Sequence, residues 1–295
     1  MAQMELSQEI SNIMNITKEW LQDISKDNVF VKTIDGKQFP RKWLVTPCLS
    51  PCLKQTEKTN HKIILIQQFF IHGDPKRRKE MNHCLKENIK LVKLGVLTEF
   101  ILLNEKIYRS EEMELSEHDF KLIRQINVKK RLKYKMVLDF VEKEKKSGKL
   151  NGYVVLSNSD IFLDKSLKNL HNSCLSLTPS WYCLLRFEFR GEKRLGRCKL
   201  FGPRQDSQDT WCFHSNFIEK YNSINTTTQG VKMNFDYELG RPGCDNRITF
   251  ELAYHGVKIY NEPWKIKTYH AHSETTRNYN MDMISQPYLF LMPIL

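Results

Sequence analysis

The feature that most constrains the fold is a regular alternation of strand-like and helix-like segments that starts at residue 61. The first segment, HKIILIQQFF, has the continuous apolar run of a strand that is covered on both faces. The segments follow one another in this order: strand 61–70, helix 77–95, strand 97–104, helices 116–126 and 129–148, and strand 152–164. Such alternation predicts an α/β domain over residues 61–295, in which helices flank a mostly parallel central sheet.

Residues 1–60 lack this alternation. Apolar residues at helical spacing predict an amphipathic helix over 5–25, and residues 26–60 form an irregular segment with three prolines. We therefore predict a small helical N-terminal extension. No apolar run approaches the ~18 residues that would span a bilayer, and the polar N-terminus does not resemble a secretory signal peptide. These features favour a cytoplasmic protein without a membrane span.

The chain carries 46 Lys and Arg residues against 34 Asp and Glu residues, a formal net charge of +12. Its basic runs are dispersed and form no compact basic-aromatic module, so a nucleic-acid partner is disfavoured. A nucleotide-diphosphate substrate, an acidic partner surface or solubility alone explains the excess of positive charge equally well. The eight scattered cysteines predict reduced core residues. Cys48 and Cys52 have no second pair of ligands nearby, which argues against structural zinc.

Polar residues follow the third predicted strand. Asn158 and Asp160, two residues apart in GYVVLSNSDIFLD, point the same way from an extended chain. The carboxyl edge of an open α/β sheet is where ligands bind, and oxygen ligands of this kind suit the divalent cations that bridge diphosphates. A plain turn is the alternative interpretation, and Asp164 could simply cap a helix that begins at Lys165.

The C-terminal third contains three further polar segments. The segment QDSQDTW (205–211) combines carboxylates, amides and an indole, which suits a sugar; the alternative is a polar loop with Trp211 in the core. In RPGCDN, Pro and Gly shape the backbone before Asp245, which opens a helix. The amide end of that helix predicts a lowered pKa for Asp245, whose alternative role is a helix cap. His270 and His272, at strand spacing, could be metal ligands or surface residues.

These motifs occur together and in the same order in one family. The sequence resembles GT-A-fold glycosyltransferases (nucleotide-diphospho-sugar transferases), and more narrowly the soluble glycosyltransferase-like proteins of large DNA viruses and algae. The shared motifs are LLNE, NSDIFxD, DSQDTW, PGCDN and KTYHxH, and the resemblance covers about residues 61–290. It implies a GT-A fold. The chain departs from the family pattern at Asn158, where an Asp is expected, and this puts the use of a metal in doubt.

The resemblance also implies a role for individual residues. The nucleotide-diphospho-sugar would be bound by residues at strand ends and before the third strand: Gln67, Phe69, Asn104, Glu105, Arg131, Lys133, Lys135, Asn158 and Ser159. The basic residues at 131, 133 and 135 could instead form a solvated helix face. A Mn²⁺ or Mg²⁺ ion would be held by Asp160 with His270 or His272. The sugar and acceptor would contact Gln208, Trp211, Arg241 and Asn246. Asp245 would be the catalytic base, with Asp209 in reserve.

The reaction that the resemblance implies is transfer of a sugar from a nucleotide-diphosphate donor, expected to be a UDP-sugar, to a hydroxyl of a glycan or glycoprotein. Inversion at the anomeric carbon is expected. One alternative is a nucleotidyltransferase that makes an activated sugar, but the segment IHGDPKRRK has a single Gly where a phosphate loop is expected. A nucleic-acid-binding protein is favoured only by the net charge. A transferase that binds its donor without catalysis is a further alternative because of Asn158.

Overall fold

The computed structural model describes residues 61–202, 204–226, 232–271 and 282–294, together with the backbone of three short strands before residue 61. Those strands are β1 (Phe30–Lys32), β2 (Gln38–Pro40) and β3 (Trp43–Thr46). The helix predicted over 5–25 lies outside the described residues, and so does His272. The boundary predicted between 1–60 and 61–295 stays a prediction.

The later elements alternate much as the sequence predicts. The strands are β4 (Lys62–Gln67), β5 (Glu99–Asn104), β6 (Ile123–Asn127), β7 (Gly152–Ser157), β8 (Ile161–Leu163), β9 (Ser180–Leu184), β10 (Phe187–Phe189), β11 (Lys199–Leu200), β12 (Thr210–His214), β13 (Lys258–Tyr260), β14 (Thr268–Ala271) and β15 (Tyr288–Leu291). The helices are α1 (Pro75–Lys93), α2 (Glu117–Phe120), α3 (Tyr134–Lys146), α4 (Phe217–Thr226) and α5 (Cys244–Tyr254). Short 3₁₀ turns cover Lys165–Asn172, Cys174–Ser176 and Leu195–Arg197.

Seven strands form the central sheet in the order β13-β9-β12-β7-β4-β5-β6. Every neighbouring pair in it is parallel except the two pairs that β12 makes, with β7 and with β9. The predicted mostly parallel sheet flanked by helices is therefore confirmed. A second sheet, β11-β10-β14-β8, continues from the end of β7, and β15 pairs with β3 in parallel.

Burial on both faces explains why the central strands are apolar throughout. On one face Ile64 and Ile66 of β4 join the core cluster that contains residues of α3 and α5. On the other face Ile63 and Leu65 pack in the cluster that contains residues of α1. Successive side chains of a strand point to opposite faces, so a strand inside two layers needs apolar residues at every position.

The structure corrects two predicted helices. The segment predicted as a helix over 116–126 is helical only in α2, and β6 then pairs with β5 at the edge of the sheet, so strand pairing overrides the local helical pattern. The helix predicted from residue 129 begins at Tyr134, because Lys129 has a positive φ of 62° and Lys133 is extended. Arg131 therefore lies in a loop and not on a helix.

Among the described residues, no helix combines the length and the apolar character needed to cross a bilayer. Five cysteines are free and buried, as predicted for reduced core residues: Cys84, Cys183, Cys198, Cys212 and Cys244. Cys174 is disulfide-bonded, so the prediction was wrong for that residue.

Candidate active site

A cavity of about 750 Å³ opens at the carboxyl ends of β4 and β7. Its wall includes Gln68, which follows β4, and Asn158, Ser159 and Asp160, which follow β7. Asp209 reaches the same edge because β12 runs antiparallel to β7, with Thr210 opposite Ser157. The cavity therefore lies where an open α/β sheet usually binds its ligands.

The second sheet supplies the other charged groups around Asp160. Strand β14 is antiparallel to β8 and sets His270 opposite Ile161, next to Asp160 in the chain. Strand β10 is parallel to β14 and sets Glu188 beside His270. The sheet that begins where β7 ends thus brings a histidine and a glutamate from distant parts of the sequence to the cavity.

Asp160 is held by two cationic side chains. Its Oδ2 atom accepts a hydrogen bond from Nη2 of Arg77 at 2.7 Å and lies 3.1 Å from Nε2 of His270. Burial would raise the pKa of the Asp160 carboxyl, but His270 and then Arg77, each as a charge and as a hydrogen-bond donor, lower it well below its ordinary value. Asp160 therefore stays ionised as one partner of a small charge cluster.

The same cluster sets the charge of His270. Burial alone would lower the pKa of this imidazole, but Asp160 and Glu188 outweigh that effect and raise the pKa to about 9. His270 is only 6% exposed. At neutral pH the ring is a cation, with Asp160 on one nitrogen and Glu188 3.5 Å from the other.

Asp209 is fixed by a buried arginine. Nη1 of Arg186, which is 4% exposed, forms a short ion pair with Asp209, and Nε of the same side chain donates to Glu188 at 2.8 Å. Nδ2 of Asn158 donates to Oδ1 of Asp209 at 2.9 Å. An ionised Asp at position 158 would have no proton to donate and would repel Asp209, so the amide of Asn158 suits this position.

Asp245 lies in the first turn of α5, which begins after Gly243 in the left-handed conformation (φ 82°). A Cβ atom on Gly243 would come within 2.6 Å of the Tyr288 hydroxyl, so glycine is required there. The Asp245 carboxylate accepts hydrogen bonds from the backbone N–H groups of Asn246 (2.9 Å) and Gln208 (3.3 Å). Of the Pro-Gly pair that was predicted to shape the backbone before Asp245, Gly243 is the residue that adopts the special conformation.

The predicted direction of the Asp245 pKa was wrong. Burial first, and then the nearby negative charge of Asp209, raise the pKa of Asp245 to about 7, although the backbone donors act in the opposite direction. Desolvation of a carboxylate outweighs the favourable amide groups at a helix start. Asp245 therefore exchanges a proton near neutral pH, as a general base must.

Two buried amide oxygens beside Asp245 have no hydrogen-bond partner among the residues that the structure describes. They are Oε1 of Gln208, a side chain that is 1% exposed, and Oδ1 of Asn246, which is 7% exposed. Both residues line the cavity. A buried acceptor without a donor costs about 1–3 kcal/mol, so these two oxygens are suited to receive hydroxyl groups of a ligand.

Two arginines in the cavity wall are oriented by backbone carbonyls. Nε and Nη2 of Arg131 donate to the Leu239 carbonyl at 3.2 and 3.1 Å. Nε and Nη2 of Arg241 donate to the Asp282 carbonyl at 3.2 and 2.8 Å. The two carbonyls thus fix the orientation of the guanidinium groups, and Arg131 also forms an ion pair with Glu238 at 3.9 Å.

The structure brings ten of the predicted site residues to the cavity wall: Arg131, Asn158, Ser159, Asp160, Gln208, Asp209, Arg241, Asp245, Asn246 and His270. At the end of β4 the predictions are displaced by one residue. Gln67 and Phe69 are buried, Gln67 in hydrogen bonds to Ser157 and to main-chain carbonyls of the sheet, whereas Gln68 and Phe70 line the cavity. Consecutive extended residues face opposite ways, which explains the displacement.

The other predicted residues lie away from the cavity. Asn104 is fully buried and accepts the Phe69 N–H at 2.8 Å, and Glu105 is exposed. Lys133 pairs with Asp236, and Lys135 pairs with Asp139 on the exposed side of α3. Trp211 is fully buried in the core, edge-on to Tyr134, which matches its alternative interpretation. Asp164 caps the 3₁₀ turn that starts at Lys165.

The described residues do not fit the predicted divalent cation. Oδ2 of Asp160 already contacts Arg77 and His270, and His270 uses its Nε2 proton toward that oxygen. No group of three or more His, Cys, Asp or Glu side chains that could hold a metal ion occurs in the part of the chain that the structure describes. A metal ligand must be a free lone pair, and a protonated imidazole has none to offer.

Sequence reasoning missed Arg77, Arg186 and Glu188. Arg77 lies near the start of α1, directly after the first strand-to-helix connection, where phosphate-binding residues are often found. Arg186 and Glu188 follow β9 at the same edge of the sheet as Asp209. The run of basic residues at 76–79 could have indicated Arg77 as a site residue. Arg186 and Glu188 are isolated charges in an apolar segment that resembles a single strand, so nothing in the sequence singled them out.

No family model matches the sequence, and no curated protein matches it. Solved structures that the chain is similar to include a glycosyltransferase involved in the glycosylation of the major capsid of PBCV-1, at 8% identity and a TM-score of 0.32, covering 72% of this chain and 94% of that one. A putative nucleotide-diphospho-sugar transferase from Desulfovibrio desulfuricans G20 has 9% identity and a TM-score of 0.34, covering 68% of this chain and 78% of that one.

A 4-diphosphocytidyl-2C-methyl-D-erythritol synthase from Anaerococcus prevotii DSM 20548 has 13% identity and a TM-score of 0.36, covering 68% of this chain and 87% of that one. These structures include the class of protein that the sequence motifs resemble, a nucleotide-diphospho-sugar transferase.

Proposed function

We propose that the chain is a glycosyltransferase that moves a sugar from a nucleoside-diphosphate donor, a UDP-sugar, to a hydroxyl of a glycan or glycoprotein. The observation that carries this proposal is Asp245, a carboxylate in the cavity wall whose pKa is raised to about 7. A general base works best when its pKa lies near the working pH. The unpartnered oxygens of Gln208 and Asn246 beside it are acceptors for sugar hydroxyls.

In the proposed reaction the Asp245 carboxylate takes the proton of the acceptor hydroxyl. The hydroxyl oxygen forms a bond to the anomeric carbon while the bond from that carbon to the diphosphate oxygen breaks. The products are the glycoside with inverted configuration, the nucleoside diphosphate and protonated Asp245. Asp209 holds its charge close to Asp245 and raises the proton affinity of the base, so we assign it a positioning role in place of the reserve base.

Gln68 and Phe70 are proposed to contact the nucleoside. Phe70 lines the cavity and is 39% exposed, so its ring is accessible for stacking on a base. The Mn²⁺ or Mg²⁺ ion that the sequence predicts would need Asp160 and His270. Because the described residues do not fit such an ion, no step of the proposed reaction uses it.

The test is a thermal-unfolding screen against nucleoside diphosphates and nucleotide sugars, followed by an assay for release of the nucleoside diphosphate in the presence of glycan acceptors. A donor that binds only the folded protein raises the unfolding temperature. We expect UDP and a UDP-sugar to stabilise the protein and UDP to be released. Synthesis of a nucleotide sugar from a nucleoside triphosphate and a sugar phosphate would contradict the proposal, as would no stabilisation by any of these compounds at millimolar concentration.

A further inference from the structure

We infer that residues 190–199, which run from the end of β10 into β11, bind an acidic glycan that is the acceptor of the transfer. This segment, RGEKRLGRCK, is called the basic loop below. The inference rests on the proposed function, since it concerns the acceptor. The acceptor that it assigns is a chain of several sugar units, with carboxylate or sulfate groups on the units that lie outside the cavity.

The basic loop concentrates positive charge at the surface. Against a single acidic residue, Glu192, it holds five basic residues: Arg190, Lys193, Arg194, Arg197 and Lys199. All five are exposed, and none of them forms an ion pair with another residue that the structure describes. The Glu192 carboxylate instead accepts the backbone N–H of Arg190 at 2.6 Å. The charge of the basic loop is therefore available to a partner.

Surface cations of helix α3 differ from those of the basic loop. Lys135 pairs with Asp139 at 2.7 Å, and Lys146 pairs with Glu142 at 2.7 Å, each about one turn away on the same helix. Such charges favour solubility and are balanced within the protein. Like charges within ten residues of one another repel, so an anionic partner stabilises the basic loop when it binds.

The backbone of the basic loop has a fixed conformation. Strand β10 pairs with β11 in antiparallel orientation, and a 3₁₀ turn (Leu195–Arg197) lies between them. The apolar side chains of Phe189, Leu195 and Leu200 pack against the core cluster of the second sheet. Because this backbone is already ordered, binding costs little further conformational entropy in the main chain.

Both ends of the hairpin that carries the basic loop lie in the cavity wall. Arg186 directly precedes β10, Phe201 directly follows β11, and both residues line the cavity. The Phe201 N–H donates to the Arg186 carbonyl at 3.0 Å and closes the hairpin. None of the five basic side chains lines the cavity itself. A molecule that reaches Asp245 and also contacts the basic loop must therefore extend beyond the cavity, as a glycan chain does.

The composition of the basic loop favours an acidic glycan over a membrane or a nucleic acid. The loop contains no aromatic residue, and its one leucine, Leu195, packs inward. Membrane-binding segments insert apolar or aromatic side chains, and sites for single-stranded nucleic acid stack bases on aromatic rings. Exposed Arg and Lys without such side chains suit carboxylate and sulfate groups, which accept charge-assisted hydrogen bonds.

The experiment measures the Kd of the full chain, by fluorescence anisotropy, for a labelled sulfated glycan (a heparin fragment), a carboxylated one (an oligogalacturonate) and neutral dextran. The loop variant combines Lys193→Gln, Arg194→Gln and Arg197→Gln. The matched control variant removes the same amount of charge from exposed positions outside the cavity and the basic loop, by Lys121→Gln, Lys143→Gln and Lys149→Gln.

We expect the wild type to bind at least one of the acidic glycans more tightly than dextran, and the loop variant to bind that glycan about tenfold more weakly. Each exposed ion pair contributes on the order of twofold, so three of them give about this loss. The control variant should stay within about twofold of the wild type. The acidic glycan with the larger loss identifies the charged group of the acceptor.

Equal losses in the two variants would overturn the inference, because binding would then follow net charge and not the basic loop. Tighter loop-dependent binding of phosphatidylserine vesicles or of a single-stranded oligonucleotide would overturn it too. If the unfolding temperature of the loop variant is lowered, Arg190→Gln with Lys199→Gln replaces it, with an expected loss of about fourfold.

The experiment also separates this inference from the proposed function. A wild type that binds UDP but neither acidic glycan more tightly than dextran would overturn the inference and leave the proposed function standing. No binding of UDP, GDP, CDP or ADP by the wild type would instead reject the proposed function itself, and the assignment of the glycan as an acceptor with it.

Discussion

Two aspartates line the same cavity in opposite electrostatic environments. Asp160 lies between Arg77 and His270, and its pKa is lowered, whereas the pKa of Asp245 is raised to about 7 by burial and by Asp209. The first carboxylate is ionised over the whole physiological pH range and stabilises the fold. The second can gain and lose a proton. The difference shows that the neighbours of a carboxylate, more than its place in a motif, decide what it does.

The largest effect that we predict is on stability. Asp160→Ala removes one carboxylate partner from Arg77 and from His270, although Glu80 stays beside Arg77 and Glu188 beside His270. We therefore expect the free energy of unfolding at pH 7 to fall by about 3 kcal/mol, the lower end of the range for a broken buried ion pair. Urea unfolding measures it. Because the pKa of Asp160 is lowered in the folded state, this stabilisation is present above the ordinary pKa of Asp, about 3.9, and is lost as the pH falls below it.

Asp206→Ala is the matched control for that measurement. Asp206 pairs with Arg204, but both side chains are about 40% exposed, so the loss should stay below about 1 kcal/mol. Equal losses in the two variants would show that Asp160 is not a buried charge partner, and the contrast with Asp245 would disappear.

The second prediction concerns catalysis. Asp245→Asn keeps the size of the side chain and one of its two backbone hydrogen bonds, since the amide has a single acceptor oxygen, but removes the proton acceptor. We expect sugar transfer at pH 8 to fall by roughly 10²-fold or more, while the Kd of UDP changes by less than about threefold. The control is Asp236→Asn, an exposed Asp outside the cavity that pairs with Lys133. Transfer at a near-normal rate by Asp245→Asn would reduce Asp245 to a structural residue of the helix start.

The third prediction sharpens the comparison through pH. Since Asp245 must be deprotonated to act, kcat/KM of the wild type should fall about tenfold per pH unit below pH 7 and level off above it. A profile that is flat between pH 5 and 8 would be incompatible with Asp245 as the base.

Stability provides an independent measurement of the same pKa. A pKa that is raised in the folded state makes the ionised form costly there, so the free energy of unfolding should decline by about 1.4 kcal/mol per pH unit between about pH 5 and 7, relative to Asp245→Asn. At higher pH the difference between the two proteins should be constant. The same difference at every pH from 5 to 7 would show that Asp245 has its ordinary pKa.

The sequence by itself determined the alternating architecture and the edge of the sheet at which the polar motifs meet. Alternation of strands and helices is a local pattern, and the carboxyl ends of parallel strands share an edge, so Asn158 and Asp160 could be predicted to lie beside the residues that follow β4. Asp209 reaches the same edge because β12 runs antiparallel to β7, which the alternation did not indicate. The helix start at Asp245 could be read in the same way, because a Pro-Gly pair before an amphipathic segment is local information.

Only the tertiary structure decided which way side chains face and which charges pair. The predictions at Gln67 and Phe69 are displaced from the cavity by one residue, since an apolar run without alternation does not reveal which face of a strand a residue occupies. Arg77 pairs with Asp160 across 83 residues of sequence. The raised pKa of Asp245 depends on desolvation by groups that meet only in the folded chain, and electrostatic interactions vary with distance and burial, which a sequence does not contain.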